Sequence, residues 1–478
     1  MTEQLTPDLC VIGAGSAGLS VAAAAAALGV PVVLIEKGAM GGECLNTGCV
    51  PSKAMIAASR RAEAFRNSGP FGIKQVRPDI EFDKVNDHIH RVISAIAPND
   101  SKERFTGMGV RVIEGEARFR DAETVVVGQE LDIKFEIKAR RFVIATGSLP
   151  AVPAIPGLDQ VPYLTNETVF VSRERPSHLI VIGGGPIGLE LAQAFRRLGS
   201  EVTVLELSRP LGKEDPECAA IVLDALARDG VTIRSGVKIE RVHRLRARIE
   251  IVLAGDTEEA IHGTDLLVAT GRRPNIAGLA LEAAGIEHEP SGIVVNERLA
   301  TTNKRVYAIG DVIGASQFTH AANHQAGLLI RHLLFRFRIK MNIDQIPRVT
   351  FTDPELAHVG LTEAQALDRH GVIRILRWSY HDNDRAQAER ETRGHIKVLT
   401  DKKGLILGAT IVGAAAGEQI TAWTLAINHG FNIRVFAELV VPYPTFTEIG
   451  KRAAITFFTP RLTSPWMRRF VKLLRRFG

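Results

Sequence analysis

The chain has 478 residues, 45% hydrophobic and 23% charged, with a net charge of +6. That length exceeds one ordinary core and implies about three domains, and the composition is that of a soluble globular enzyme. Several classes are excluded as defaults. No Lys/Arg block interleaved with aromatics marks a nucleic-acid surface in the body of the chain. Residues 2–8 lack the basic start of a signal peptide, and the apolar run 21–35, broken by Gly29 and Pro31, is too short to span a bilayer. Four cysteines do not make a secreted disulfide scaffold, so a cytoplasmic protein is expected.

The first readable unit is a buried strand at 9–12, the turn Gly13-Ala14-Gly15-Ser16-Ala17-Gly18, an Ala-rich helix closed by Gly29, and a strand at 32–35 ending on Glu36. Strand, glycine turn, helix, strand and terminal acid form a dinucleotide-binding fingerprint in its required context. Its candidate ligands are Gly13, Gly15, Ser16, Gly18, Glu36 and Lys37, with a pyrophosphate at the helix N-terminus and a ribose hydroxyl on Glu36.

The stretch Gly41-Gly42-Glu43-Cys44-Leu45-Asn46-Thr47-Gly48-Cys49-Val50-Pro51-Ser52-Lys53 follows, leading into a helix expected over 51–65. Pro51 suits a first helical turn. Cys49 then lies at or just before a helix N-terminus, where the dipole and Lys53 favour a thiolate. A thiolate is the attacking species in disulfide exchange. On the residues alone, two idle cysteines fit the spacing equally well. Cys10 and Cys218 read as packing residues.

Residues 68–100 are mixed and end helical, and 110–143 alternate as a β-meander would. Thr146 and Gly147 precede a Pro-rich crossover at 150–156. The fingerprint then recurs: Gly13, Gly18, Gly29 and Glu36 return at constant offset as Gly183, Gly188, Gly199 and Glu206, with Gly185 in the turn. Two complete units imply two bound dinucleotides. A second alanine-threonine-glycine turn ends at Gly271, and a strand-like run carries Asp311. Glu206 favours the free 2′-hydroxyl of NAD, and Leu207 offers a 2′-phosphate nothing, although Arg209 is close by. NADH is therefore expected over NADPH. From residue 346 strands (396–399, 405–412) alternate with an apolar helix (418–428). In the tail, Trp466, Phe470, Leu473, Leu474 and Phe477 share one helical face, opposite Arg468, Arg469, Lys472, Arg475 and Arg476. Such a helix packs on its own dimer or lies on an anionic membrane.

The cysteine stretch matches every fixed position of the redox signature of the pyridine nucleotide–disulfide oxidoreductases, and the chain resembles that family from about residue 8 to 460. The resemblance implies an α/β fold: two Rossmann-like FAD/NAD(P)-binding domains plus a C-terminal α+β dimerisation domain, assembled as a homodimer. Its expected limits are 1–150 (first part of the FAD domain), 151–275 (NAD(P) domain), 276–345 (second FAD/central part), 346–460 (dimerisation) and 461–478 (basic tail). By resemblance Cys44 is the exposed thiol that meets the substrate, Cys49 lies against the flavin and Lys53 beneath its ring. Glu190 pairs with Lys53, and Asp311 bonds the ribityl chain. On the residues alone, Glu190 is equally a surface helix acid and Asp311 an ordinary strand-end acid.

One departure is informative. Glutathione reductase and dihydrolipoamide dehydrogenase place a histidine five residues before a glutamate, contributed across the dimer as the acid–base for the thiols. Here Glu448 is present but Tyr443 replaces the histidine, and a phenol with pKa near ~10 cannot do that work at neutral pH. Mercuric reductase carries a tyrosine there, and Lys213-Glu214-Asp215-Pro216 also resembles that branch, yet no cysteine follows Cys218 to deliver a metal. The expected function is electron transfer from NADH through FAD and the Cys44–Cys49 disulfide to a metal ion, quinone or disulfide. A dihydrolipoamide dehydrogenase, or a tail-anchored flavin-binding signalling module, are the alternatives.

Overall fold

Four consecutive apolar side chains, none more than 4% exposed, make strand β1 (Leu9–Ile12). Such a run is what a parallel sheet covered on both faces demands. β1 pairs in parallel with β2 (Val32–Glu36), which continues to β3 (Arg111–Glu114), and on its other side with β4 (Arg141–Ile144) and then the strand Val306–Ala308. In this computed structural model, residues 2–129, 132–246, 248–255, 259–462 and 464–477 are described. They divide into two units, Met1–Leu207 with Gly236–Ile343, and Ser208–Ser235 with Asp344–Gly478.

The first unit contains both fingerprints. Helix α1 (Ser16–Ala27) crosses from β1 to β2, and Gly29, at φ +73°, turns the chain out of it. The second copy is β5 (His178–Ile182), α4 (Pro186–Arg197) and β6 (Glu201–Glu206), with β7 (Asp265–Val268) on the other side of β5, all parallel. A short antiparallel pair, Ser148–Pro150 with Arg272–Pro274, joins the two alanine-threonine-glycine turns.

The structure corrects two sequence readings. Residues 110–143 are not one meander. Their first and last strands, β3 and β4, belong to the parallel sheet, and the antiparallel hairpins run only through Ala117–Asp121, Thr124–Gln129 and Asp132–Ile137. Both end strands are short apolar runs that local pattern cannot tell from meander strands; the pairing is decided by β2 and β1, far away in sequence. The helix expected from residue 51 begins at Cys49 as α3 (Cys49–Arg66), because Ser52 N–H already reaches the Gly48 carbonyl at 3.1 Å. Residues 130 and 131 of the expected meander, and 463 and 478 of the expected tail, lie outside the described residues.

The second unit is built on an antiparallel sheet ordered Arg348–Thr350, Glu355–Gly360, Ile406–Gly413, His395–Asp401, Ile373–Ser379. Helix Ala416–Asn428 covers it, with Trp423 stacked on Phe436 at 3.8 Å between ring centroids. Lys397, 5% exposed, is held by Asp215 at 2.7 Å and Glu363 at 2.6 Å. Cys10 and Cys218 are fully buried, each in its own unit. No helix among the described residues is long and apolar enough to cross a membrane.

Candidate active site

Both glycine turns close in the same way. Glu36 Oε2 accepts from Ala14 N–H at 2.6 Å, and Glu206 Oε2 accepts from Gly184 N–H at 2.6 Å. Each terminal acid thus sits at its own turn. Gly13 and Gly183 need positive φ (+103° and +113°), and Gly18 and Gly188 pack so tightly that a Cβ would lie 1.9 and 2.1 Å from the carbonyl oxygens of Gly13 and Gly183. Gly15 and Gly185 differ. They cap α1 and α4 with extended backbone (φ −79° and −77°), and a Cβ would meet nothing closer than 4.0 Å at Gly15 and nothing within 4 Å at Gly185. Neither backbone nor packing calls for glycine there. The space left there fits a ligand: neither helix has a side-chain cap or an acid in its first turn, so each N-terminus suits a pyrophosphate. These residues fit FAD at the first turn, with Ser16 opening α1, Lys37 following Glu36 and Asp311 near the Ser148 turn, and a nicotinamide dinucleotide at the second.

The redox stretch folds as α2 (Gly42–Asn46), a break at Thr47 and Gly48, then α3. Asn46 ties the break together by donating to the carbonyls of Met40 (3.0 Å) and Gly42 (2.7 Å). All four cysteines are thiols in this structure. Cys44 donates its S–H to Cys49, and this bond, with Thr319 and Lys53 assisting against burial, lowers the Cys49 pKa to about 6. The same bond, together with burial, pushes the Cys44 thiol upward. Thr319 opens helix α5 (Thr319–Phe335), and its hydroxyl lies 3.5 Å from Cys49 Sγ. The resemblance implied that Cys44 is the exposed thiol. Cys44 lies within the short turn of α2 and Cys49 opens α3, on the side that the resemblance sets against the flavin.

Lys53, one turn into α3, places Nζ 2.7 Å from Glu190 Oε2, and the Glu190 side chain is only 6% exposed. Asp311 accepts from Ser148 Oγ at 2.5 Å. Arg272 reaches Glu43 with Nη1 at 2.6 Å and also with Nη2, and donates from Nε to Ser148 Oγ at 2.8 Å. Thr146 Oγ1 donates to the Asn275 carbonyl at 2.7 Å, while Gly147 and Gly271 turn at φ +70° and +125°. In the other unit, Tyr443, 71% exposed, donates to Asp384 Oδ2 at 2.8 Å, and Glu448 pairs with Arg452 at 2.7 Å. The sequence reading missed Thr319, Glu43 and Arg272. Only Glu43 left a local signal, an acid beside a redox cysteine.

A family model described as pyridine nucleotide-disulphide oxidoreductase matches residues 7–326, and its dimerisation domain matches 346–454. The chain belongs to the pyridine nucleotide-disulphide oxidoreductase family. It is therefore an FAD-dependent NAD(P)H oxidoreductase whose dimerisation domain makes it a homodimer. Among its relatives, mercuric reductases from Bacillus cereus and Streptomyces lividans are 36% and 35% identical over 94% of this chain and 71% and 96% of theirs. Dihydrolipoyl dehydrogenase from Bacillus subtilis is 31% identical over 94% of this chain and 98% of its own. Among solved structures, the Cu(II) complex of the HOCl-induced flavoprotein disulfide reductase RclA from Escherichia coli superposes with a TM-score of 0.84 at 27% identity, covering 95% of this chain and 100% of that one.

Two predictions follow from the geometry of these turns and thiols. Gly15→Ala leaves the thermal stability of the apoprotein within about 0.5 kcal/mol but lowers FAD affinity at least tenfold, whereas Gly18→Ala destabilises the apoprotein by about 2 kcal/mol or more. Calorimetry and FAD titration separate the two. In the dithiol protein, iodoacetamide labels Cys49 with half-maximal rate near pH 6, slow below and fast above, and Cys44→Ala moves that midpoint upward by removing the S–H donor. Faster labelling of Cys44 than of Cys49 at pH 7 would contradict this assignment.

Proposed function

We propose that this enzyme takes electrons from NADH and passes them, through a redox-active Cys44–Cys49 disulfide, to a small oxidant, a metal ion or quinone, in preference to a dithiol substrate. The observation that carries the reading is the place of Cys49 at the start of α3, with the Thr319 hydroxyl 3.5 Å away and Lys53 one turn on, surroundings that favour a thiolate there. When bound, FAD supplies the two-electron link between the nicotinamide and this pair. Gly13, Gly15, Ser16, Gly18, Glu36, Lys37, Thr146, Gly147 and Asp311 would hold it, and Gly183, Gly185, Gly188, Glu206 and Gly271 would hold the nicotinamide nucleotide. Lys53 holds a positive charge one turn from Cys49, and Glu190 keeps that charge in place. The domain limits of this reading are those of the sequence: 1–150, 151–275, 276–345, 346–460 and a tail at 461–478.

The metal-ion class is supported by the mercuric reductases among the relatives and by the Cu(II) complex of the similar flavoprotein disulfide reductase. Dithiol chemistry is disfavoured by Tyr443. Its phenol donates to Asp384, and that hydrogen bond and charge raise its pKa further above the ordinary value, so it stays a donor at neutral pH. Tyr443→His is expected to raise turnover with lipoamide at least about tenfold and to introduce a pH step near neutrality. Efficient lipoamide turnover by the wild type, without such a step, would instead favour a dihydrolipoamide dehydrogenase.

NADH is favoured because Glu206 presents a carboxylate where a 2′-phosphate would lie and Leu207, 69% exposed, offers no charge. The wild type should show kcat/KM for NADH at least about tenfold above NADPH, and Glu206→Ala with Leu207→Arg should narrow or reverse the ratio. A wild-type preference for NADPH would overturn this.

The tail supports a peripheral contact. None of helix Pro465–Leu474 is buried, and Trp466 and Phe470 stack on its apolar side at 5.5 Å, opposite its basic residues. An anionic lipid surface suits both faces, with each basic residue contributing on the order of 1 kcal/mol. Full-length protein should sediment with anionic vesicles at low salt, and a chain ending at Pro465 should not; equal, negligible binding leaves the tail to pack on protein.

A further inference from the structure

Arg272 stands between two carboxylates. It holds Glu43 with both terminal nitrogens, and its Nε lies 3.6 Å from Asp311, with the Arg272 side chain only 9% exposed. Asn166 donates to Glu43 Oε1 at 2.8 Å, and a Cβ on Gly48 would lie 3.4 Å from that same oxygen. The Glu43 carboxyl therefore spans the turn between the two cysteines. One guanidinium cannot neutralise two half-buried carboxylates, so this corner carries an excess negative charge.

Reduction makes that excess worse. A disulfide is uncharged, but the reduced pair carries a thiolate on Cys49. The charged and titratable groups facing Glu43 are Arg272 on Arg272–Pro274, Asp311 on the turn Gly310–Ile313, Cys49 on α3 and Cys44 on its own helix. Burial, resisted by Arg272 and reinforced by the charges of Asp311 and Cys49, brings the Glu43 pKa up to about 7.

From this geometry we infer that Glu43 takes up a proton when the Cys44–Cys49 disulfide is reduced and returns it when the pair is reoxidised. The inference rests on the reading of Cys44 and Cys49 as a redox pair. The step balances as follows: NAD(P)H gives a hydride, which is two electrons and one proton, and solvent gives a second proton. The S–S bond breaks, Cys49 keeps its sulfur as thiolate, one proton ends on Cys44 and the other on Glu43, and NAD(P)⁺ is released. The next oxidation reverses both transfers. Glu43 is thus a proton-holding, positioning residue beside the thiols, in a chain with no histidine at position 443.

The test uses the full chain and dithiothreitol, which gives two electrons and two protons. At pH 6.5 in weak buffer, reducing the wild-type disulfide should release well under one proton, whereas Glu43→Gln should release nearly a full ~1 proton per disulfide. Redox difference infrared spectra should show a protonated-carboxyl band on reduction that shifts with ¹³C-glutamate, disappears in Glu43→Gln, survives in Glu190→Gln, and weakens in Asp311→Asn, which frees Arg272 for Glu43 alone. If Glu43→Gln does not fold, the labelled wild type and the other two variants still decide the assignment. Equal proton release by the wild type and Glu43→Gln, or no glutamate carboxyl band, overturns the inference. If alkylation shows that no Cys44–Cys49 disulfide forms at all, the redox reading itself fails first.

Discussion

A carboxylate that is almost fully buried needs a cation, and Glu190 has one in Lys53 at 2.7 Å. The two come from different motifs: Lys53 from the redox helix α3 and Glu190 from α4, the helix that opens on the second glycine turn. Breaking a buried pair costs about 3–5 kcal/mol and less here, because Lys53 is partly exposed. The pair fixes the redox helix against the element that would carry the nicotinamide nucleotide.

The same economy of charge divides labour within the turn. Cys49 has the helix N-terminus, Lys53 and the Thr319 hydroxyl on its side, and all three favour its anion. Cys44 has the Cys49 anion and burial against it, and both oppose ionisation. Two thiols only five positions apart thus have opposite character. Arg272 limits the cost by binding Glu43 to the strand pair that joins the two alanine-threonine-glycine turns.

Much of this was legible in the sequence because it is local. A glycine needing φ of +103°, or packing within 2 Å of a carbonyl, leaves a fixed glycine at a fixed spacing, and so both fingerprints could be read in order. The strand after each helix ends on an acid that folds back to its own turn, again a local event. What could not be read depends on distant chain. The Arg272–Glu43 clasp closes over 229 residues and the Cys49–Thr319 contact over 270. The first and last strands of 110–143 are claimed by β2 and β1 rather than by their neighbours. Tyr443 was legible as a departure, but its engagement with Asp384 was not, since the two lie 59 positions apart.

The central claim is that Cys44 and Cys49 form the working disulfide while the other two cysteines only pack. It is tested most directly by anaerobic addition of NADH to the FAD-loaded oxidised enzyme, followed by alkylation and mass spectrometry of each cysteine. The account predicts that NADH exposes Cys44 and Cys49 to alkylation together, while buried Cys10 and Cys218 stay unlabelled in the folded protein. Bleaching of the flavin with no gain of label at Cys44 and Cys49 would contradict it.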